Sequence, residues 1–314
     1  MPALEILGLE KSYQVGFLRK TEKVALKPFQ LAVEEGEIFG YLGPNGAGKT
    51  TTLKLLLGLV FPTAGSARLL GRDWRDADTK ADIGFLPEQP YFYDYLTATE
   101  LLDYYGHLSG MDHAARRKRV PEVLDRVGMS AAAHIQLRKF SKGMLQRVGI
   151  AQAIVHDPKL VILDEPMSGL DPMGRLQVRD LIQSLKDEGK TVFFSTHILS
   201  DAETLCDRVA VLNQGELRAV GVVADLTAEV GGKVEVVWQG TKAVPAIAAL
   251  GGECRMTASL VRATLPEAQL DAAIDAIRRA QERLVSVTPV RATLEDYFLQ
   301  KLGQPPADAT EAQP

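Results

Sequence analysis

Cysteine is nearly absent: Cys206 and Cys254 are the only two in 314 residues. They are too few for a disulfide framework and form no zinc-ligand cluster, so the composition fits a reducing, cytosolic setting. Long apolar runs are missing too. Spanning a bilayer takes roughly 18 uninterrupted apolar residues, whereas the greasiest run, TLKLLLGLVF at 52–61, is short and carries Lys54. The opening MPALEILGLEKSY has no basic-then-apolar leader pattern. The expectation is a chain that crosses no membrane by itself. Nor is one sign of charge in excess: 36 Lys+Arg against 40 Asp+Glu leave a net charge of −4, which gives no global reason to expect a nucleic-acid partner. What is plentiful is apolar side chain. At 46% hydrophobic, 314 residues supply core enough for one large or two ordinary domains.

Alternation around Leu4, Ile6 and Leu9 predicts a strand. A turn over Val33–Gly36 follows, then a short apolar strand from Glu37 to Leu42 that enters a glycine-rich loop. Lys49 to Leu59 reads as a helix with leucines on one side. Strand-like segments then recur at 83–87, 159–166, 191–197 and 209–217. Short apolar strands alternating with helices argue for an α/β fold with a largely parallel sheet covered on both faces. Between about 95 and 157 the periodicity is helical, which predicts a helical subdomain. Past about 225 the character changes. KVEVVW (233–238), LVRATL (260–265) and LVSVTPV (284–290) read as strands, and 266–281 as an amphipathic helix, with another around 243–250. The expected organisation is a catalytic domain over 1–225, a small α+β domain over 226–302 and a disordered polar tail over 303–314.

GPNGAGKT at 43–50 has the G-x-x-x-x-G-K-[ST] spacing, placed after a strand and before a helix. Glycines let the backbone of Gly43, Pro44, Asn45, Gly46, Ala47 and Gly48 wrap a phosphate chain, with N–H groups from all but the proline free to converge on phosphate oxygens, and the helix start at Lys49, Thr50 and Thr51 adds its dipole. Lys49 is placed for the β- and γ-phosphates and the Thr50 hydroxyl for Mg²⁺. An ordinary glycine turn is the plain alternative; the flanking elements favour a nucleoside triphosphate site. LVILDEP at 160–166 is an apolar strand ending in two acids. Asp164 is placed to hold Mg²⁺, and Glu165 is the natural general base for water attacking a γ-phosphate. Acids capping a helix are the alternative, which the upstream loop makes less attractive.

The remaining motifs narrow the choice. FSKGMLQR at 140–147 resembles the signature motif of ATP-binding cassette (ABC) proteins, SGLDP at 168–172 their D-loop, and STH at 195–197 the segment that carries their switch histidine. Tyr13 stands where the family places an aromatic residue stacked on adenine. On these residues the chain is identified as a member of the ABC ATPases over 4 to about 225, and SKGM, the LPE segment and LEDYFL at 294–299 are similar to the ATP-binding subunits of drug and antibiotic exporters. The resemblance implies a P-loop NTPase fold that binds ATP and Mg²⁺. It implies that His197 contacts the γ-phosphate and holds Glu165, and that the metal-facing position falls on Glu88, with Gln89 beside it. Ser141 and Gly143 would complete the site of a second ATPase subunit in trans, and Asp171 would link subunits.

A separate polytopic membrane subunit and attachment to the inner face of the cell membrane follow from the same resemblance. Five of eight tyrosines lie between 91 and 105, with Phe92 among them. They read either as packing of the helical subdomain or as a partner groove, and the resemblance favours the groove. RRKR at 116–119 reads as a solvated helix face rather than a nucleic-acid patch. The rival function is a soluble ABC ATPase of DNA repair or translation, yet no coiled-coil insertion, cysteine cluster or second phosphate loop is present. A P-loop kinase would leave FSKGM, SGLDP and His197 unexplained.

Overall fold

The computed structural model describes residues 1–16, 21–257 and 260–302. The expected tail at 303–314 and part of the basic stretch after Tyr13 lie outside the described residues. The chain divides into a first compact unit, Met1–Val222, and a second that begins at Val223, just ahead of the boundary expected from composition.

The first unit opens with β1 (Pro2–Val15), β2 (Thr21–Leu26), β3 (Gln30–Glu34) and β4 (Ile38–Leu42). Then come α1 (Lys49–Leu56), β5 (Ala64–Leu69), β6 (Arg72–Asp73), α2 (Ala77–Lys80) and β7 (Ile83–Leu86). The helical region holds α3 (Ala98–Leu108), α4 (His113–Arg126) and α5 (Lys142–Ile154). The unit closes with β8 (Leu160–Asp164), α6 (Pro172–Asp187), β9 (Thr191–Thr196), α7 (Leu199–Leu205), β10 (Arg208–Asn213) and β11 (Glu216–Val222).

A six-stranded sheet in the order β11-β10-β4-β9-β8-β7 forms the middle, with β10, β4, β9, β8 and β7 parallel. Every residue of β4, β8 and β9 is buried, as expected of parallel strands covered on both faces. Their alternating side chains feed two cores. Phe39, Tyr41, Ile162 and Phe193 pack with α1 and the N-terminal strands, while Ile38, Val161, Leu163 and Phe194 pack with α3 to α6.

The N-terminal third adds a second, antiparallel sheet in which β1 pairs with β2, β3 and β5, so one long strand serves three partners. Two expectations need correction. The single strand expected at 209–217 is a hairpin of β10 and β11. Gln214 (φ 49°) and Gly215 (φ 75°) form its two-residue turn, because two successive left-handed residues match the strand twist. The helix from Lys49 stops at Leu56 rather than Leu59, since Gly58 takes φ 70° just past the cap and ends it.

The second unit comprises α8 (Val223–Ala228), β12 (Lys233–Gln239), α9 (Val244–Ala249), β13 (Glu253–Thr257), β14 (Leu260–Pro266), α10 (Leu270–Arg279), β15 (Arg283–Val290) and α11 (Leu294–Leu302). Its antiparallel sheet runs β13-β14-β12-β15, and α9 and α10 cover one face over Trp238, Val236 and Val261. The helix expected from 266 starts at Leu270 because Pro266 still belongs to β14.

Candidate nucleotide site

The loop 43–48 leaves β4, at the sheet's C-terminal edge, and runs into α1. Two glycines fix its path. A Cβ on Gly43 would lie 2.2 Å from the Leu212 carbonyl oxygen, and one on Gly48, at φ 109°, would lie 2.7 Å from that of Ala25. The loop therefore rests on backbone of β10 and β2, and the Gly215 N–H donates to Ala47 O at 2.9 Å. Above it opens a cleft of about 940 Å³ lined by Pro44, Asn45, Gly46, Gly48, Lys49, Thr50 and Thr51. Gly43 and Ala47 support the loop from beneath.

Distant segments meet in the same cleft: Tyr13 of β1, Glu88 after β7, Glu165 after β8 and His197 after β9. Among the described residues Glu88 lines it and its neighbour Gln89 does not. The Tyr13 ring lies 4.8 Å from the Lys11 ammonium. Lys49 is buried, donates to Gly43 O at 2.6 Å and sits 3.2 Å from Glu165 Oε1. That last contact is an ion pair off the hydrogen-bonding directions, so Oε1 has no hydrogen-bond partner. Glu165 Oε2 lies 2.9 Å from His197 Nδ1. Glu165 thus bridges the loop lysine and the histidine.

Glu165 also takes φ 50°, a left-handed conformation that costs a non-glycine residue about 1–2 kcal/mol. Its N–H is pinned by Ser195 Oγ at 3.0 Å and Ser195 O at 3.2 Å. The same Ser195 hydroxyl donates to Asp164 Oδ1 at 2.5 Å. Burial pushes the Asp164 carboxyl above its usual range; hydrogen bonds from Ser195 and Thr50 oppose the rise, Glu165 adds to it and Lys49 opposes it. Thr50 and Asp164 are therefore joined, as two ligands of one cation would be. With a glycine-rich loop at a helix start, a buried ammonium, a hydroxyl and carboxylates around one cleft, the residue set fits a triphosphate with a divalent cation.

Ser141 and Gly143 are not among the described residues that line the cleft. Ser141 caps α5 and accepts from Met144 N–H at 3.3 Å, and a Cβ on Gly143 would touch Leu170 at 3.5 Å. Asp171 caps α6, accepting from Gly174 N–H at 2.9 Å. Sequence reasoning missed Ser168, the Gln214–Gly215 turn and Lys23–Ala25 as cleft residues, and Ser195 as the hub beneath the two acids. Only Ser195 carried a signal, being a polar residue at the end of the apolar run TVFF.

Residues 26–168 match the family model for the ABC transporter. An uncharacterised ABC transporter ATP-binding protein of Synechocystis is 45% identical over 306 residues, which cover 95% of this chain and 84% of that protein. A bacitracin transport ATP-binding protein of Bacillus licheniformis is 44% identical over 59% of this chain and 60% of its own length. Among solved structures, the dimeric post-hydrolysis state of an ATP-binding cassette bound to ADP and Pi aligns with TM-score 0.64 and 28% identity, covering 70% of this chain and 98% of that one.

Proposed function

The chain belongs to the ATP-binding subunits of ABC transporters, and on that premise we propose that it hydrolyses ATP to drive export through a separate membrane subunit. The observation that carries the reading is Glu165, held between Lys49 and His197 in the wall of a cleft large enough for a nucleotide. Lys49 and the loop N–H groups bind the phosphates, Tyr13 faces the base, and Thr50, Asp164 and Glu88 hold Mg²⁺. The cation, when bound, neutralises phosphate charge. Glu165 takes the proton of the attacking water, and His197 holds that carboxylate by the 2.9 Å contact. Phosphoryl transfer asks mainly for positioning and charge neutralisation, so no nucleophilic side chain is needed.

Ser141 and Gly143 open a helix away from this cleft, where a capped N-terminus suits an anion of a second subunit. ATP would then lie between two copies, and hydrolysis would wait for their closure. The membrane partner docks on a groove of about 560 Å³ lined by Phe85, Pro87, Tyr91, Phe92, Tyr105 and Leu108. Tyr91 is 96% exposed there while Phe92 and Tyr105 pack inward, so the tyrosine cluster serves both packing and presentation. No helix among the described residues is long and apolar enough to cross a membrane, which leaves the pathway to another chain. Export is the direction suggested by relatives named for bacitracin transport and linearmycin resistance.

Affinity purification from detergent-solubilised membranes should co-isolate a polytopic membrane protein, and the pair should hydrolyse ATP. Stable assembly with DNA or ribosomes and no membrane protein would overturn the transport reading.

A further inference from the structure

Apart from the cleft, a smaller cavity of about 440 Å³ is lined by Leu170, Pro172, Arg175, Arg179 and Asp201. It lies between the start of α6 and the first turn of α7, the helix that follows His197. Asp201 is only 5% exposed, and its Oδ2 has no hydrogen-bond partner. Arg179 Nε is buried without one as well. Each such orphan costs about 1–3 kcal/mol, so opposite charges left unsatisfied around one cavity are an unusual arrangement.

Arg175 and Arg179 stand one helical turn apart and present both guanidinium groups on one side of α6. Burial raises the Asp201 carboxyl above its usual range; Arg175, then Arg179 and His197, pull it down, and Glu165 pushes it up. The carboxylate is therefore coupled to the arginines and also to the His197–Glu165 pair. Asp171 caps the start of α6, so any shift of the SGLDP segment moves the helix that carries both arginines.

We propose that Asp201 is a positioning residue for hydrolysis: when α6 draws toward α7, its carboxylate pairs with Arg175 and Arg179 and fixes the helix that anchors His197. The pairing satisfies the buried orphans, closes the cavity and ties the SGLDP segment to the histidine that holds Glu165. It acts through His197 and touches no substrate. This inference rests on the ATPase reading above.

Steady-state hydrolysis by the full chain with its membrane partner tests it. Asp201→Asn keeps size and removes charge; kcat should fall about tenfold, equivalent to about 1.4 kcal/mol, with KM for ATP within about twofold. Asp201→Glu should recover most of the loss. The Arg175→Gln, Arg179→Gln double variant, altered at partly exposed positions, should show the same drop, and adding Asp201→Asn to it should lower kcat no further. Unchanged kcat in Asp201→Asn, or losses that multiply in the triple variant, would overturn the pairing. Equal loss in Asp201→Glu together with a lowered unfolding temperature would also overturn it, by reducing Asp201 to a packing role. Where Glu165→Gln abolishes hydrolysis but Asp201→Asn leaves it intact, the ATPase reading stands and the positioning inference alone falls; a wild-type complex that hydrolyses nothing sinks both.

Discussion

At the residue scale the site turns on one carboxylate with two cationic-capable neighbours. Lys49 sits 3.2 Å from Glu165, and both side chains are nearly sealed from water. A phosphate entering the loop therefore competes with Glu165 for the same ammonium, and it also brings its own charge close to the carboxylate. Glu165→Gln relieves both effects. We expect that variant to bind ATP about tenfold more tightly than the wild type, as the loss of roughly 1.4 kcal/mol of competing charge interaction implies, while hydrolysis disappears. Calorimetry with ATP would check the first and phosphate release the second; weaker ATP binding by the variant would contradict the competition. Lys49, Asp164 and Glu165 were legible because short motifs fix them locally. Ser195 was marked only as a polar residue ending the run TVFF: its role as a hub arises because β9 runs beside β8 in register, with Asp164 opposite Ser195, and no local pattern declares a pairing between segments that distant.

At the scale of elements, the placement of α5 decides where Ser141 is presented. The helix lies against β7 through two glycines. A Cβ on Gly84 would come within 2.0 Å of the Ala153 carbonyl oxygen, and one on Gly149 within 2.6 Å of Leu86 Cδ1. Backbone cannot yield as a flexible side chain does, so Gly84→Ala should destabilise the first unit by about 3 kcal/mol, the upper part of the usual overpacking range. Urea denaturation would measure it, and a variant within about 0.5 kcal/mol of wild type would show that α5 can slide. Neither glycine stands out in sequence, since Gly84 falls inside an apparently ordinary strand and Gly149 inside a helix. The helical region was legible from periodicity; the structure adds its caps, with Thr97 and Glu100, Asp112, Ser141 and Asp171 each satisfying first-turn N–H groups.

For the whole molecule, the separation of the signature residues from the cleft makes a prediction about assembly. Lys49→Ala and Ser141→Arg chains should each be inactive alone. Mixed in equal amounts and allowed to pair at random, they regenerate one intact composite site in each mixed dimer, so about a quarter of wild-type activity should return under twofold symmetry. No recovery on mixing would argue that each chain completes its own site.

The sequence by itself located the candidate nucleotide-site residues and the kind of elements that carry them. The spacing of GPNGAGKT, the apolar run ending in Asp164 and Glu165, and the 3.6-residue periodicity between 95 and 157 are local properties, and local physics writes them directly into the order of residues. Only the tertiary structure decided that β1 serves three partners, that 209–217 is a hairpin whose turn lines the cleft, that Ser195 locks both acids, and that Asp201 faces two arginines across a cavity. Each of these depends on which segments become neighbours. That choice is made by burying two apolar cores on opposite faces of one sheet, a property of the whole chain that no window of residues contains.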